Sequence, residues 1–135
     1  MNRNLVFVYG TLRKGASNHF RMSGSEWLGA GSVSGRIYEV TLNPEFLYPA
    51  LITDEAGRVL GDLFFVSDEL LSELDVFEGI SPDPAEPDEY RRIEISVKLE
   101  SGIEHIAWAW EWNSKLENAR LLETGDWLAY EPDPS

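Results

Sequence analysis

Apolar and polar residues alternate with a period of two through much of this chain, the spacing that gives a strand one buried and one solvated face. Ile93, Ile95, Val97 and Leu99 alternate with Glu94, Ser96, Lys98 and Glu100. Ser101-Gly102 then predicts a hairpin turn into Ile106-Ala107-Trp108-Ala109-Trp110-Glu111-Trp112, whose aromatic residues share one face and are read as core. Gly57-Arg58 reads as a turn into Val59–Val66, and Ser32–Val40 alternates around Gly35, where a bend or bulge is expected. With Leu5–Val8, five or more strands are predicted.

Helical spacing is rarer. Ser67 is placed to cap a helix with Asp68 and Glu69 in its first turn, where carboxylates suit the helix dipole. Leu70, Leu71, Leu74 and Phe77 then recur on one face, and Gly79 ends it. A short helix is expected from Ser17 to Met22, stopped by Gly24, and a third over about Leu116 to Leu122. Strands outnumber helices and do not alternate with long ones. This predicts an α+β domain, a small curved mixed sheet or barrel with short flanking helices. One domain is expected over 1–130, with 131–135 a frayed acidic tail.

Ile80 to Glu89 carries Pro82, Pro84 and Pro87 with several acids, and is neither helix nor inner strand. It reads as a solvated loop or, since it joins Glu78 to Tyr90, as a lid beside a site. At 135 residues with 43% hydrophobic content the chain has enough apolar surface for one core. The net charge of −13, from 24 acids against 11 bases, argues against nucleic acid and anionic membrane as partners. Absence of cysteine removes disulfides and thiolate chemistry. No apolar run approaches a membrane span and Met1–Asn4 does not open a signal peptide, so a cytoplasmic protein is expected.

Chemistry is concentrated where Leu5-Val6-Phe7-Val8 runs into Tyr9-Gly10-Thr11-Leu12-Arg13-Lys14-Gly15. A strand ending in small residues leaves backbone N–H groups without ladder partners, a nest for a carboxylate or developing oxyanion. Arg13 and Lys14 follow that turn, while Arg91 and Arg92 follow Tyr90; convergence of the two pairs would make a local positive site. Nucleotide-binding glycine loops and a serine-nucleophile elbow are absent. His19 and His105 lack acids at ligand spacing, which argues against zinc; His105 reads as a surface residue and His19 as a minor candidate for the pocket.

Five segments in order resemble the gamma-glutamylcyclotransferase superfamily: Phe7-Val8-Tyr9-Gly10-Thr11-Leu12, Tyr48-Pro49-Ala50-Leu51, Gly61-Asp62-Leu63-Phe64, Leu74-Asp75-Val76-Phe77-Glu78-Gly79 with Tyr90-Arg91-Arg92, and Thr124-Gly125-Asp126-Trp127 with Tyr130. The pattern is most similar to the small bacterial members and the branch acting on gamma-glutamylamines. The resemblance implies a mixed β-barrel and a reaction in which the alpha-amine of a gamma-glutamyl group attacks its own gamma-carbonyl. 5-Oxoproline closes and an amine or amino acid leaves, with neither metal nor organic cofactor required. It implies Glu78 as the general acid–base and Tyr9, Gly10, Thr11, Leu12 and Tyr90 around the substrate, with Arg13 and Tyr130 as weaker candidates. Asp75 is expected as a structural acid, Arg91 and Arg92 as a strand-edge pair with one of them bonding Asp75 or the loop, and Trp127 as closing packing. The proline-acid insertion after Glu78 is longer than the family pattern, which leaves the acceptor side of the pocket open. A binding module for a small carboxylate, or another acyl-amide chemistry on the same scaffold, remains the alternative. The oligomeric state is left open.

Overall fold

The alternating segments close on themselves. A computed structural model of the chain describes residues 3–16, 18–43, 46–78, 90–113, 116 and 119–127. Its strands are β1 (Arg3–Val8), β2 (Glu26–Ser34), β3 (Arg36–Asn43), β4 (Phe46–Ile52), β5 (Arg58–Ser67), β6 (Tyr90–Leu99), β7 (Glu104–Trp112) and β8 (Ala119–Leu121). A 3₁₀ helix covers His19–Met22, and α1 (Asp68–Phe77) follows β5. Five strands form a closed barrel in the order β1-β5-β2-β6-β7, while β4-β3-β8 makes a second, three-stranded sheet. The barrel is mixed because β1 lies antiparallel to β5 and meets β7 in parallel, with Val6 opposite Trp108.

Gly35 does more than bend a strand. Its φ of +144° falls where side chains are disfavoured, and a Cβ there would stand 2.7 Å from the Ile52 carbonyl oxygen. At this point the chain leaves β2 in the barrel and enters β3 in the other sheet.

Helix α1 forms where the sequence places it. The Ser67 hydroxyl accepts the Leu70 N–H at 3.1 Å, a cap of the kind worth ~1 kcal/mol. Leu70, Leu71 and Leu74 are buried in a cluster with Val8, Leu12, Tyr90 and Trp110. Burial of each such side chain contributes about 1.5–3 kcal/mol. This packing brings the end of α1, and therefore Glu78, toward the end of β1.

Two expectations are corrected. Residues 119–121 are not helical: their backbone pairs with Tyr38–Val40, so sheet formation overrides the weak helical spacing of Leu116 to Leu122. The short helix is a 3₁₀ turn confined to His19–Met22, followed by Gly24 at φ +90°. Strand β4, which carries Pro49, is absent from the sequence reading; it pairs with β3 alone within its sheet, where a missing N–H is tolerated. The 80–89 loop, Gly79, Ser17, Tyr130 and the tail over 131–135 lie outside the described residues. Among the described residues no helix is long and apolar enough to cross a membrane.

Candidate active site

The ladder between β1 and β5 stops at Val8 opposite Asp62, and the chain then leaves the barrel wall as the loop 9–16. Its carbonyls turn inward to the chain that follows. The Gly10 oxygen accepts the Arg13 N–H at 3.1 Å, the Thr11 oxygen accepts the Asn18 N–H at 2.8 Å, and the Leu12 oxygen lies 3.1 Å from His19 Nδ1. The N–H groups of Gly10, Thr11 and Leu12 meet no acceptor among the described residues. Three consecutive donors are thus without an acceptor among the described residues, at the strand end where the sequence reading expects an anion nest.

Glu78 is the C-cap of α1, its own N–H donating to the Leu74 oxygen at 2.9 Å. The residue keeps some exposure, but protein surrounds its carboxyl and no donor reaches it among the described residues. That burial, reinforced by the charge of Asp75 one turn earlier, pushes its pKa up to about 8. Asp75 is itself held. Trp110 Nε1 donates to Oδ1 at 2.9 Å, and Arg92 lies 3.4 Å from Oδ2 with its guanidinium over the Trp108 ring. The expected arginine is therefore found on Asp75, but the acid's other partner among the described residues is an indole rather than the helix-end or loop amides expected of it, and Trp110 is both core and brace.

Tyr9 joins the nest to this acid. Its hydroxyl donates to the Trp110 oxygen at 2.6 Å and accepts from the Leu51 N–H at 3.4 Å. Burial first, and then the Glu78 charge, raise the phenol well above its ordinary pKa, so the two groups share one electrostatic environment. Tyr90 stands edge-on to Trp112 and donates to the Pro49 oxygen at 2.5 Å. Pro49 also floors the nest, since a Cβ on Gly10 would lie 2.5 Å from its Cγ. Both tyrosine hydroxyls thus hold the barrel and second sheet together around Gly10.

The four cations flanking the site segments do not converge. Arg13, 8% exposed, bonds Asp62 at 3.2 Å and Asp126 at 2.8 Å. Lys14 Nζ sits 4.5 Å over the Trp27 ring, and Arg91 pairs with Glu111. Arg13 is committed to two carboxylates rather than offered to a ligand. Asp62 also accepts from the Lys14 N–H and Trp27 Nε1, a set that sequence reading missed. An acid in the otherwise apolar run Val59–Val66 was the available signal. The same reading passed over Glu111, a buried acid flanked by two tryptophans, and Pro49 as the floor of the nest. Among the described residues no three His, Asp or Glu side chains group as metal ligands would.

Residues 6–129 match the profile of the family described as gamma-glutamyl cyclotransferase, AIG2-like. A Methanocaldococcus jannaschii protein, provisionally named a gamma-glutamylcyclotransferase, is 32% identical over 127 residues, covering 93% of this chain and 96% of its own length. The gamma-L-glutamyl-butirosin B gamma-glutamyl cyclotransferase of Niallia circulans is 33% identical over 128 residues, covering 93% of this chain and 76% of its own. Among solved structures, a Pyrococcus horikoshii protein superposes with a TM-score of 0.68 at 25% identity, covering 94% of this chain and 92% of its own. An AIG2-like protein from Mus musculus shares the fold at a TM-score of 0.71 and 23% identity, over 87% and 83% of the two chains.

Proposed function

The chain belongs to the gamma-glutamyl cyclotransferase, AIG2-like family, and from that premise we propose that it cleaves a gamma-glutamyl amine or dipeptide by intramolecular aminolysis. The alpha-nitrogen of the glutamyl group bonds to its own gamma-carbonyl carbon, the bond from that carbon to the departing nitrogen breaks, and 5-oxoproline and a free amine or amino acid separate. Water is not consumed. The observation that carries this reading is Glu78: an enclosed carboxyl with a pKa of about 8, in the same electrostatic environment as the tyrosine that leads into three open amides.

The residue types fit the demands of the reaction. Nucleophile and electrophile belong to one molecule, so holding it folded supplies much of the acceleration; oriented intramolecular attacks reach effective molarities of about 10⁵ M or more. The Gly10, Thr11 and Leu12 amides receive the alpha-carboxylate or the oxyanion that develops on the gamma-carbonyl. Glu78 takes the proton that the alpha-ammonium must lose for its nitrogen to attack, and returns it to the departing nitrogen. A carboxyl titrating near neutrality exchanges protons in both directions, and such assistance is worth ~10²–10⁴-fold. Two relatives support an amine as the departing group: one is named for gamma-L-glutamyl-butirosin B, and one from Danio rerio is a gamma-glutamylaminecyclotransferase, 34% identical over 110 residues.

The test is a panel of gamma-glutamyl amines and dipeptides scored for 5-oxoproline by chromatography. Release from at least one compound by the wild type, lost in Glu78→Gln, is expected. A panel without turnover, in a protein whose amides still bind 5-oxoproline, would leave a small-carboxylate binder instead.

A further inference from the structure

The loop 10–19 contains a side-chain grip that the reaction scheme does not use. In a trans peptide the C=O and the following N–H point in opposite directions. Holding the Gly10 carbonyl therefore aims the Thr11 N–H, and holding the Thr11 carbonyl aims the Leu12 N–H. Both carbonyls are held by main-chain donors, Arg13 N–H at 3.1 Å and Asn18 N–H at 2.8 Å. The third, that of Leu12, is held at 3.1 Å by a side chain, His19 Nδ1. A carbonyl has no proton to give, so Nδ1 carries the hydrogen of this bond.

That grip is linked to the other two. The Leu12 carbonyl shares its peptide plane with the Arg13 N–H, which is the donor to Gly10. His19 thus orients the plane that orients the Thr11 amide. The residue is fixed in turn: its ring lies 5.7 Å from the ring of Phe64, a residue only 2% exposed, and its backbone N–H donates to the Ala16 oxygen at 3.2 Å. A ring anchored to the barrel wall at β5 therefore transmits the wall's position to the loop.

We propose that His19 is a positioning residue, which holds the Leu12 carbonyl and so, through the Arg13 N–H of the same peptide plane, aims the Thr11 amide at the substrate. The inference rests on the reading of that amide as a glutamyl-binding donor. It deepens that reading by naming a side chain on which the direction of the Thr11 amide depends.

Asparagine separates this role from simple packing, because its Nδ2 hangs from Cγ where the histidine Nδ1 does. Loss of one oxyanion donor costs about 10²–10³-fold, and misdirection of retained donors costs less. His19→Leu is therefore expected to lower kcat/KM for 5-oxoproline release by roughly 10–100-fold, and His19→Asn to recover it to within about 3-fold. A second readout needs no turnover: the amide ¹H–¹⁵N signal of Thr11 is recorded in each variant, alone and titrated with 5-oxoproline. The signal should move in His19→Leu and return toward wild type in His19→Asn. If the wild type turns over nothing in the panel but the signal behaves in this way, the proposed reaction fails and the role of His19 stands. An unmoved Thr11 signal in His19→Leu, or equal losses in the leucine and asparagine variants, overturn the proposal.

Discussion

Two glutamates of this protein, one in the barrel and one at the end of α1, have carboxyls enclosed by protein and behave in opposite ways. Glu111, in β7 and 4% exposed, accepts from the Thr53 N–H at 2.7 Å, from the Thr53 hydroxyl at 2.5 Å and from Arg91 at 2.5 and 3.0 Å. Burial alone would raise its pKa, but the Thr53 donors and the Arg91 charge outweigh it and leave the carboxyl below its ordinary value. Among the described residues Glu78 has the burial without the donors, and its neighbour in charge is another acid. The first carboxylate is satisfied and ties the turn after β4 to the barrel. The second meets no donor among the described residues, and the proposed reaction gives it the proton transfer. Burial by itself does not mark a candidate acid; burial without compensation does.

That contrast can be broken by exchanging each acid for its amide. Glu78→Gln should reduce 5-oxoproline release about 10³-fold with the fold intact, the usual range for a lost acid–base group. Glu111→Gln should leave kcat/KM within about 3-fold and lower stability by about 1–3 kcal/mol in urea unfolding, since Arg91 is partly solvated and Thr53 keeps an acceptor. If the two variants trade these phenotypes, the assignment of roles is wrong.

The pH dependence of stability should run in opposite senses. The folded pKa of Glu78 is raised above its ordinary 4.5 to about 8, so the native state binds more protons than the unfolded state between those values. Stability from this group is full below 4.5 and declines as pH rises toward 8. Glu111 has a lowered folded pKa, so its contribution is present above the unfolded value of 4.5 and is lost as pH falls through the folded one. Melting temperatures from pH 3 to 9 should therefore fall less toward alkaline pH in Glu78→Gln, and less toward acid in Glu111→Gln, than in the wild type. The smallest expected effect sharpens the comparison within one corner. Asp75→Asn removes the lesser cause of the Glu78 shift while keeping an acceptor for Trp110. It should move the Glu78-dependent limb of the kcat/KM profile toward lower pH by about half a unit to one unit. A limb that does not move would assign the shift to burial alone.

Much of this was legible along the chain. Alternation located β5, β6 and β7, and a serine followed by acids located the start of α1, because these signals are local. The strand end after Val8 and the acid after Phe77 stood out for the same reason. What could not be read was the fate of polar groups that find partners far away. Asp62 and Glu111 are single acids in apolar strands, and only the closed barrel shows which donors surround them. Arg13 looked available to a ligand until Asp126, 113 positions later, was placed against it. Residues 119–121 became a strand because β3 had a free side, a fact of the sheet and not of the segment. The structure also gave His19 a specific partner where the sequence offered only nearness to the glycine turn.

The position of β1 has a consequence for how the molecule is made. Its partners are β5, with Arg3 opposite Ser67, and β7, with Val6 opposite Trp108. Loop-closure entropy over such spans must be met before those pairings contribute, which slows folding. The glycine loop thus emerges from the ribosome early and gains its shape late: a polypeptide halted before residue 104 would contain every letter of the nest but lack the wall that shapes it.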